Sequence, residues 1–566
     1  MSRARGQRRA ADGLVAAVLV AGLVLAGCSS GAEPRPPAVE TRTGAGTSLV
    51  NAETGTSRDG SFRPLPVATG WGPSLAEIDR ARTLVGRLSL RRRAGQVIVA
   101  SYSGTAPPTS MVRRLHLGGV IVFSENVTSA AGIRAANHVL QASVAQSGRK
   151  WPLLIGVDQE GGLVQRVTGG ATGFPTFMTA GAADDLGLTR RVYTASGAEL
   201  RALGFNLDFA PDADVTMGAD DPAIGARSAG SSPARASQQV RAAADGFASA
   251  GLVPVVKHFP GHGSVSTDSH LGLPVQRASL RTLEGRDLVP FKASVRAHAP
   301  AVMVGHLDVR AVDPRTPSSL SHAVVTGMLR HRLGFAGVAF TDSLVMKAVT
   351  DRYGEVRSAV KALQAGEDAL LMPRRPRTAR DAIVRAVRTG RLDQARLDQA
   401  ATRFVALMLH QRAQTSRVRP AGSSAALSRE YSARAITVVS GPCSGRLVGP
   451  AVQVAGPATA VARFRAAAAS AGLRVVAAKA RKRQRAATRV VLLGPGERVA
   501  DRRPPGVVVA LDTPYVLGSS SATVARIATY GDTVGAMDAL VDVLVGRSRA
   551  PGHLPVTVAG VDRSGC

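Results

Sequence analysis

Short apolar runs of four or five residues alternate with longer amphipathic stretches through most of the chain, the pattern of repeated strand and helix units. Eight such runs fall at 97–100, 119–123, 153–157, 206–210, 253–256, 301–304, 337–340 and 369–372. Several lead straight into polar side chains: Asp158 after the third, Asp212 and Asp214 after the fourth, Lys257 and His258 after the fifth, His306 after the sixth and Asp342 after the seventh. Eight strands, each followed by a helix, predict a TIM-type (β/α)8 barrel. Chemistry spread over many strand ends suits a barrel better than a doubly wound sheet, which gathers its ligand at one crevice. A helical pattern over 392–411 closes this unit, and 415–424 reads as a linker. Further runs at 435–439, 452–455, 475–477, 490–493 and 507–511 alternate with Ala-rich helical stretches, so a smaller α/β sandwich domain is expected next. The barrel is assigned to 76–414 and the second domain to 425–566.

Composition adds a class and a compartment. With 45% hydrophobic and 20% charged residues, the 566-residue chain reads as folded material of more than one domain. Its formal charge of +31 would suit an acidic partner. The densest cluster, Lys479, Arg481, Lys482, Arg483 and Arg485, has no aromatic between its charges, and aromatics are only 4% of the chain. The stacking platform of a single-stranded nucleic acid binder is therefore missing, which excludes nucleic acid and leaves anionic envelope polymers as candidate partners. Arg3, Arg5, Arg8 and Arg9 precede an apolar segment over 14–25 that is short for a membrane span, so 1–27 reads as a secretory signal peptide. Its end, Leu25-Ala26-Gly27-Cys28, resembles the bacterial lipobox, which implies a lipid on Cys28 and a protein tethered to the outer face of the cytoplasmic membrane. The Gly, Ser, Thr and Pro-rich stretch within 28–75 is expected to act as a flexible spacer. With Cys28 lipidated, Cys443 and Cys566 remain in an oxidising compartment, either as a disulfide or as two free thiols.

The richest chemistry lies at Lys257-His258-Phe259-Pro260-Gly261-His262-Gly263, followed by Asp268-Ser269-His270. Pro260, Gly261 and Gly263 disfavour a helix and place these polar groups on a loop at the C-terminal end of the fifth strand. The same residues break the helical His-x-x-x-His geometry that zinc would need from His258 and His262, so no metal is expected. In an extended segment, Asp268 and His270 project to one side and can meet, the carboxylate steadying an imidazolium that could give a proton. Asp342 follows Thr341 at a strand end, either aimed by a rigid backbone or capping a helix over 343–349.

Together these motifs resemble glycoside hydrolase family 3, in its β-N-acetylglucosaminidase branch. The likeness runs over about 80–415 through Asp158-Gln159-Glu160-Gly161-Gly162 with Arg166, Asn206-Leu207-Asp208-Phe209-Ala210-Pro211, Arg227-Ser228, the 257–270 block, Pro317-Ser318-Ser319-Leu320-Ser321, and Gly337 to Leu344 with Met346. The resemblance implies Asp342 as the nucleophile and His270, paired with Asp268, as the proton donor. It also implies a sugar subsite made by Asp158, Arg166, Arg227, Lys257 and His258, with no cofactor. The implied activity is release of terminal GlcNAc from cell-wall glycans through a covalent intermediate. A phosphorylase of the same fold and a non-catalytic glycan-binding lipoprotein are the alternatives. Leu163 and Ala229 depart from the family pattern, in which a basic residue and an aromatic are common. The second domain resembles the family's more loosely, and Glu497, in a Gly-Pro-Gly-Glu turn, reads as a turn residue rather than an acid.

Overall fold

Each barrel strand is buried on both faces, which is why its sequence is a continuous apolar run and not an alternating one. In the computed structural model, which describes residues 67–566 except 416–417, 478–486, 500–503 and 563, the strands stand side by side in chain order. They are β1 (Ile98–Ala100), β2 (Gly119–Val122), β3 (Leu154–Val157), β4 (Leu207–Asp208), β5 (Val253–Phe259), β6 (Ala301–Val304), β7 (Val338–Thr341) and β8 (Leu370–Leu371). All pair in parallel, β8 joins β1, and a bridge from Phe340 to Ala369 closes the ring. Phe209 and Phe340 meet edge to face inside it, with ring centroids 5.7 Å apart. Cys28, the signal and the Lys479–Arg485 cluster lie outside the described residues.

Two local expectations need correction. The fifth strand runs on to Phe259 because that ring is fully buried against Phe291, so Lys257 and His258 sit on the strand end itself and not on a loop. After Asp342 the chain first makes a turn, and the helix begins only at Lys347–Ala365, with Met346 at its N-cap.

The helix Gln394–Ala413, capped by Asp393 accepting from the Ala395 N–H, ends the barrel. The second domain follows as a six-stranded sheet in the order β9-β14-β13-β12-β10-β11. These strands are β9 (Thr437–Ser440), β10 (Ala451–Ala455), β11 (Arg474–Val475), β12 (Thr488–Leu493), β13 (Val507–Ala510) and β14 (Ala525–Ala528). Only β9 runs antiparallel to its neighbour. The sequence pattern misses β14, because Ala-Arg-Ile-Ala interrupts the apolar run with a charge. Period-two alternation gives the sheet two apolar faces: Val490, Leu492, Val507 and Val509 pack with the domain's own helices, while Val491, Leu493, Val508 and Ala510 join the hydrophobic core shared with the barrel.

The described residues fold as one compact unit, and the linker is fastened down. The buried Glu199 carboxylate accepts from the Thr172 N–H and hydroxyl at 2.7 and 2.8 Å, and from the Gly422 and Ser424 N–H groups at 2.8 and 3.1 Å. Cys443 and Cys566 form a disulfide with Cα atoms 5.6 Å apart, which resolves the choice between a bridge and free thiols.

Candidate active site

Residues from the ends of seven strands and their loops line one cleft of about 380 Å³ at the barrel mouth. Asp158, Arg166, Arg227, Lys257, His258, Asp268, His270 and Asp342 all line it, so the described residues given a catalytic or sugar-binding role from the sequence are brought together.

The floor is a charge cluster whose centre the sequence does not reveal. Lys257, 2% exposed, places Nζ 2.9 Å from Asp158 and 2.5 Å from Glu160. Arg227, on the turn Gly225–Arg227, grips the same Glu160 with two parallel bonds of 2.8 and 2.9 Å. Burial tends to raise the Glu160 pKa, but Arg227 and Lys257 outweigh it and hold the carboxyl well below its usual range. Asp212 lies 3.1 Å from Arg227 Nε, yet burial and the nearby Glu160 push its pKa up to about 8 despite Arg227 and Lys257. One acid of the cluster is thus an anion and its neighbour a neutral acid near neutral pH. Arg166 does not pair with Asp158; its guanidinium lies over the Phe123 ring at 5.5 Å.

Asp214 is the second hub. Its carboxylate accepts from His258 Nδ1 at 2.7 Å, from the His258 N–H at 3.3 Å and from the His262 N–H at 2.6 Å. Burial opposes a charge on His258, but Asp214 prevails and raises its pKa above the ordinary value. His262, pushed down to about 4 by burial and by His258, is neutral and contacts Ser269 Oγ at 2.9 Å. Asp212, Asp214 and His258 could offer one ligand atom each within 4.8 Å, the one such group among the described residues. Hydrogen bonds already engage Asp214, and the Arg227 cation beside Asp212 repels a metal ion.

Asp342 stands at the tip of β7, its N–H bonded to the Val304 carbonyl at 2.9 Å and one carboxylate oxygen accepting from the Ser343 N–H at 2.7 Å. Burial raises its pKa, but His258, His306, the Ser343 N–H and Lys257 together bring it below the usual carboxylate value. It is ionised at neutral pH. His306, kept neutral mainly by burial, contacts Ser319 Oγ at 2.6 Å through Nδ1 and the Ser343 carbonyl at 3.0 Å through Nε2, which fixes the backbone after Asp342.

The Asp268–His270 pair forms, but not by the extended geometry expected. The segment is a turn: Asp268 Oδ1 accepts from both the His270 N–H at 2.9 Å and His270 Nδ1 at 2.7 Å, while the Asp268 carbonyl accepts from the Leu271 and Gly272 N–H groups. Burial raises the Asp268 pKa, but the His270 bonds lower it on balance. His270 is 69% exposed, at the rim of the cleft, and Nδ1 is the nitrogen held by Asp268, leaving Nε2 free to face a substrate. Glu497 closes on its own turn by accepting from the Gly494 N–H at 2.8 Å. Leu163 is exposed at a hairpin tip, and Ala229 is buried outside the cleft.

Residues 89–407, more than half of the chain, match the pattern described as "Glycosyl hydrolase family 3 N terminal domain". The chain belongs to glycosyl hydrolase family 3. As a family 3 glycoside hydrolase it is 34% identical over 331 residues to β-hexosaminidase A of Pseudoalteromonas piscicida, covering 54% of this chain and 55% of that one, so it spans about half that relative's length. β-Hexosaminidase LpqI of Mycobacterium tuberculosis is 35% identical over 331 residues, 56% of this chain and 83% of its own. A solved family 3 β-N-acetylglucosaminidase from Paenibacillus sp. FPU-7 superposes with a TM-score of 0.76 at 29% identity. It covers 84% of this chain and 100% of its own, and so extends past the barrel.

Proposed function

We propose that this family 3 hydrolase is a retaining exo-β-N-acetylglucosaminidase that removes terminal GlcNAc from peptidoglycan-type glycans. The observation that carries the reading is an ionised Asp342 on a rigid strand tip and a carboxylate-held His270 on a rim loop, both lining one cleft. Retention requires an anion below the anomeric carbon and a proton donor beside the departing oxygen. Asp342 would attack the anomeric carbon, forming the glycosyl ester as the bond to the aglycone breaks, while His270 gives its proton to the leaving oxygen. In the second step His270 takes a proton from water, which attacks the same carbon and frees Asp342.

Asp158, Arg166, Arg227, Lys257 and His258 would hold the sugar hydroxyls and the acetamido oxygen, and no step calls for a cofactor. The GlcNAc specificity is supported by the names of the hexosaminidase relatives. A lipid on Cys28 and the spacer after it would hold the enzyme at the outer face of the cytoplasmic membrane, and anionic envelope polymers would meet its excess positive charge. The test compares chromogenic β-GlcNAc and β-glucoside substrates, with and without phosphate, on wild type, Asp342→Ala and His270→Ala. The expected outcome is hydrolysis of the GlcNAc substrate alone, abolished in Asp342→Ala. In His270→Ala the loss should reach about 10²–10⁴-fold for poor leaving groups and be far smaller for activated ones. Release of a sugar 1-phosphate would mean phosphorolysis, and equal losses on both leaving-group types would remove His270 as the acid.

A further inference from the structure

Every described residue lining the cleft belongs to the barrel, which leaves the second domain without a part in the reaction. We propose that the second domain braces the Arg227–Glu160 ion pair from behind, with Thr176 as the positioning residue on the Glu160 side and the Pro555 segment as the support on the Arg227 side. The inference rests on the cleft's being the sugar site.

Glu160 lies in a tight hairpin, Gln159–Gly161 against Val164–Gln165. The back of that hairpin rests on residues 174–176. The Gly162 N–H donates to the Phe174 carbonyl at 2.9 Å, a Cβ on Gly161 would lie 2.3 Å from the Pro175 carbonyl oxygen, and a Cβ on Gly162 would lie 2.2 Å from Thr176 Cγ2. Both glycines also have positive φ, so the hairpin reaches this contact only as Gly-Gly. Thr176 is in turn held by the second domain. Its N–H and hydroxyl both donate to the Tyr530 carbonyl, at 3.0 and 2.7 Å, just beyond β14. Tyr530 is fully buried and anchored by its hydroxyl to Thr437 at 2.9 Å on β9.

The Arg227 side has a matching support. The Ser231 N–H donates to the Pro555 carbonyl at 3.1 Å, and Gly230, at φ +146°, approaches so closely that a Cβ would lie 2.5 Å from that oxygen. Thr513 reaches the other end of the Arg227 turn at Gly225. Pro555 is presented by a segment that folds back on the C-terminus through the bridge His553 to Gly565 and the Leu554 N–H to Ser564 carbonyl bond, and the Cys443–Cys566 disulfide fastens that end. Glu160 and Arg227 lie 67 residues apart on different barrel loops, and both loops rest on segments of the second domain.

The deciding experiment measures kcat and KM on an aryl β-GlcNAc for full-length wild type, Thr176→Val, Thr176→Ser and the Cys443→Ser/Cys566→Ser double variant. Thr176→Val keeps the shape and removes the hydroxyl donor. The expected result is a KM about tenfold higher with kcat within about twofold, because ground-state sugar contacts are displaced while Asp342 and His270 stay put. Thr176→Ser should restore the wild-type KM, and the cysteine double variant should raise it. A purely structural role would lower the active fraction, and hence kcat, at unchanged KM. A folded Thr176→Val with unchanged KM overturns the brace; if that variant does not fold, the cysteine double variant decides by the same ratio. Wild-type protein inert on the substrate would instead sink the sugar-site reading beneath the proposal.

Discussion

Replacing Glu160 with Gln exposes how charge is shared on the cleft floor. Glu160 is the common partner of Lys257 at 2.5 Å and Arg227 at 2.8 Å, and removing one member of a buried ion pair costs about 3–5 kcal/mol. Asp212 moderates that loss in a pH-dependent way. Burial, aided by Glu160, raises its pKa to about 8. Between about pH 4 and pH 8 the folded wild type therefore keeps a proton that the unfolded chain has released, and stability falls as pH rises through this window. Without Glu160, Asp212 can ionise beside Arg227, 3.1 Å away, and take over part of the lost pairing. The variant then lacks this downward slope. One proton contributes up to about 1.4 kcal/mol per pH unit, so a penalty of about 3–5 kcal/mol at pH 5 should shrink to about 1 kcal/mol by pH 8. Urea unfolding followed by fluorescence of the buried Trp71 and Trp151 at pH 5, 6, 7 and 8 measures it directly. A penalty that stays constant over that range would refute the shared-charge account.

Three further outcomes are expected. Asp214→Asn removes the anion that raises the His258 pKa against burial; that stabilisation is complete below about pH 6.5 and fades as pH rises through the folded value, so the variant's stability loss should be larger at pH 6 than at pH 9 in the same titration. Asp342→Gly should be inactive alone yet, given azide and an activated aryl glycoside, should release an α-glycosyl azide detectable by NMR; a β-azide product would argue against Asp342 as the nucleophile. Reducing the Cys443–Cys566 bond, which closes a loop of 123 residues, should lower unfolding stability by about 4–5 kcal/mol, read from urea midpoints with and without dithiothreitol.

The barrel was legible in sequence because a parallel sheet buried on both faces writes each strand as an apolar run, and all eight runs lie on β1 to β8. The strand β14 was not, since Arg526 turns its guanidinium to the Leu517 and Gly560 carbonyls while Ala525, Ile527 and Ala528 are buried, and three apolar positions around a charge look like a loop. The site residues at strand ends were readable one by one. Their pairings were not. Glu160 stood inside a quoted motif without a role, because only folding sets it between Arg227 and Lys257. Asp214 was seen as a polar strand end, but its hold on His258 and His262, 44 and 48 residues away, is a property of two adjacent strands. The Asp268–His270 spacing suggested contact for the wrong reason: a side chain capping its own turn brings them together, a local alternative to the extended backbone.

The linker's grip on Glu199 bears on how this enzyme can be cut. Half of the donors to that carboxylate, the Gly422 and Ser424 N–H groups, arrive from beyond the last barrel helix. A protein trimmed at Ala413 would keep every cleft residue and still carry a stripped anion on the flank of its fold. A shortened chain should therefore end no earlier than Ser424, or carry an uncharged side chain in place of Glu199, and in either case it loses the Tyr530 and Pro555 supports behind the cleft floor.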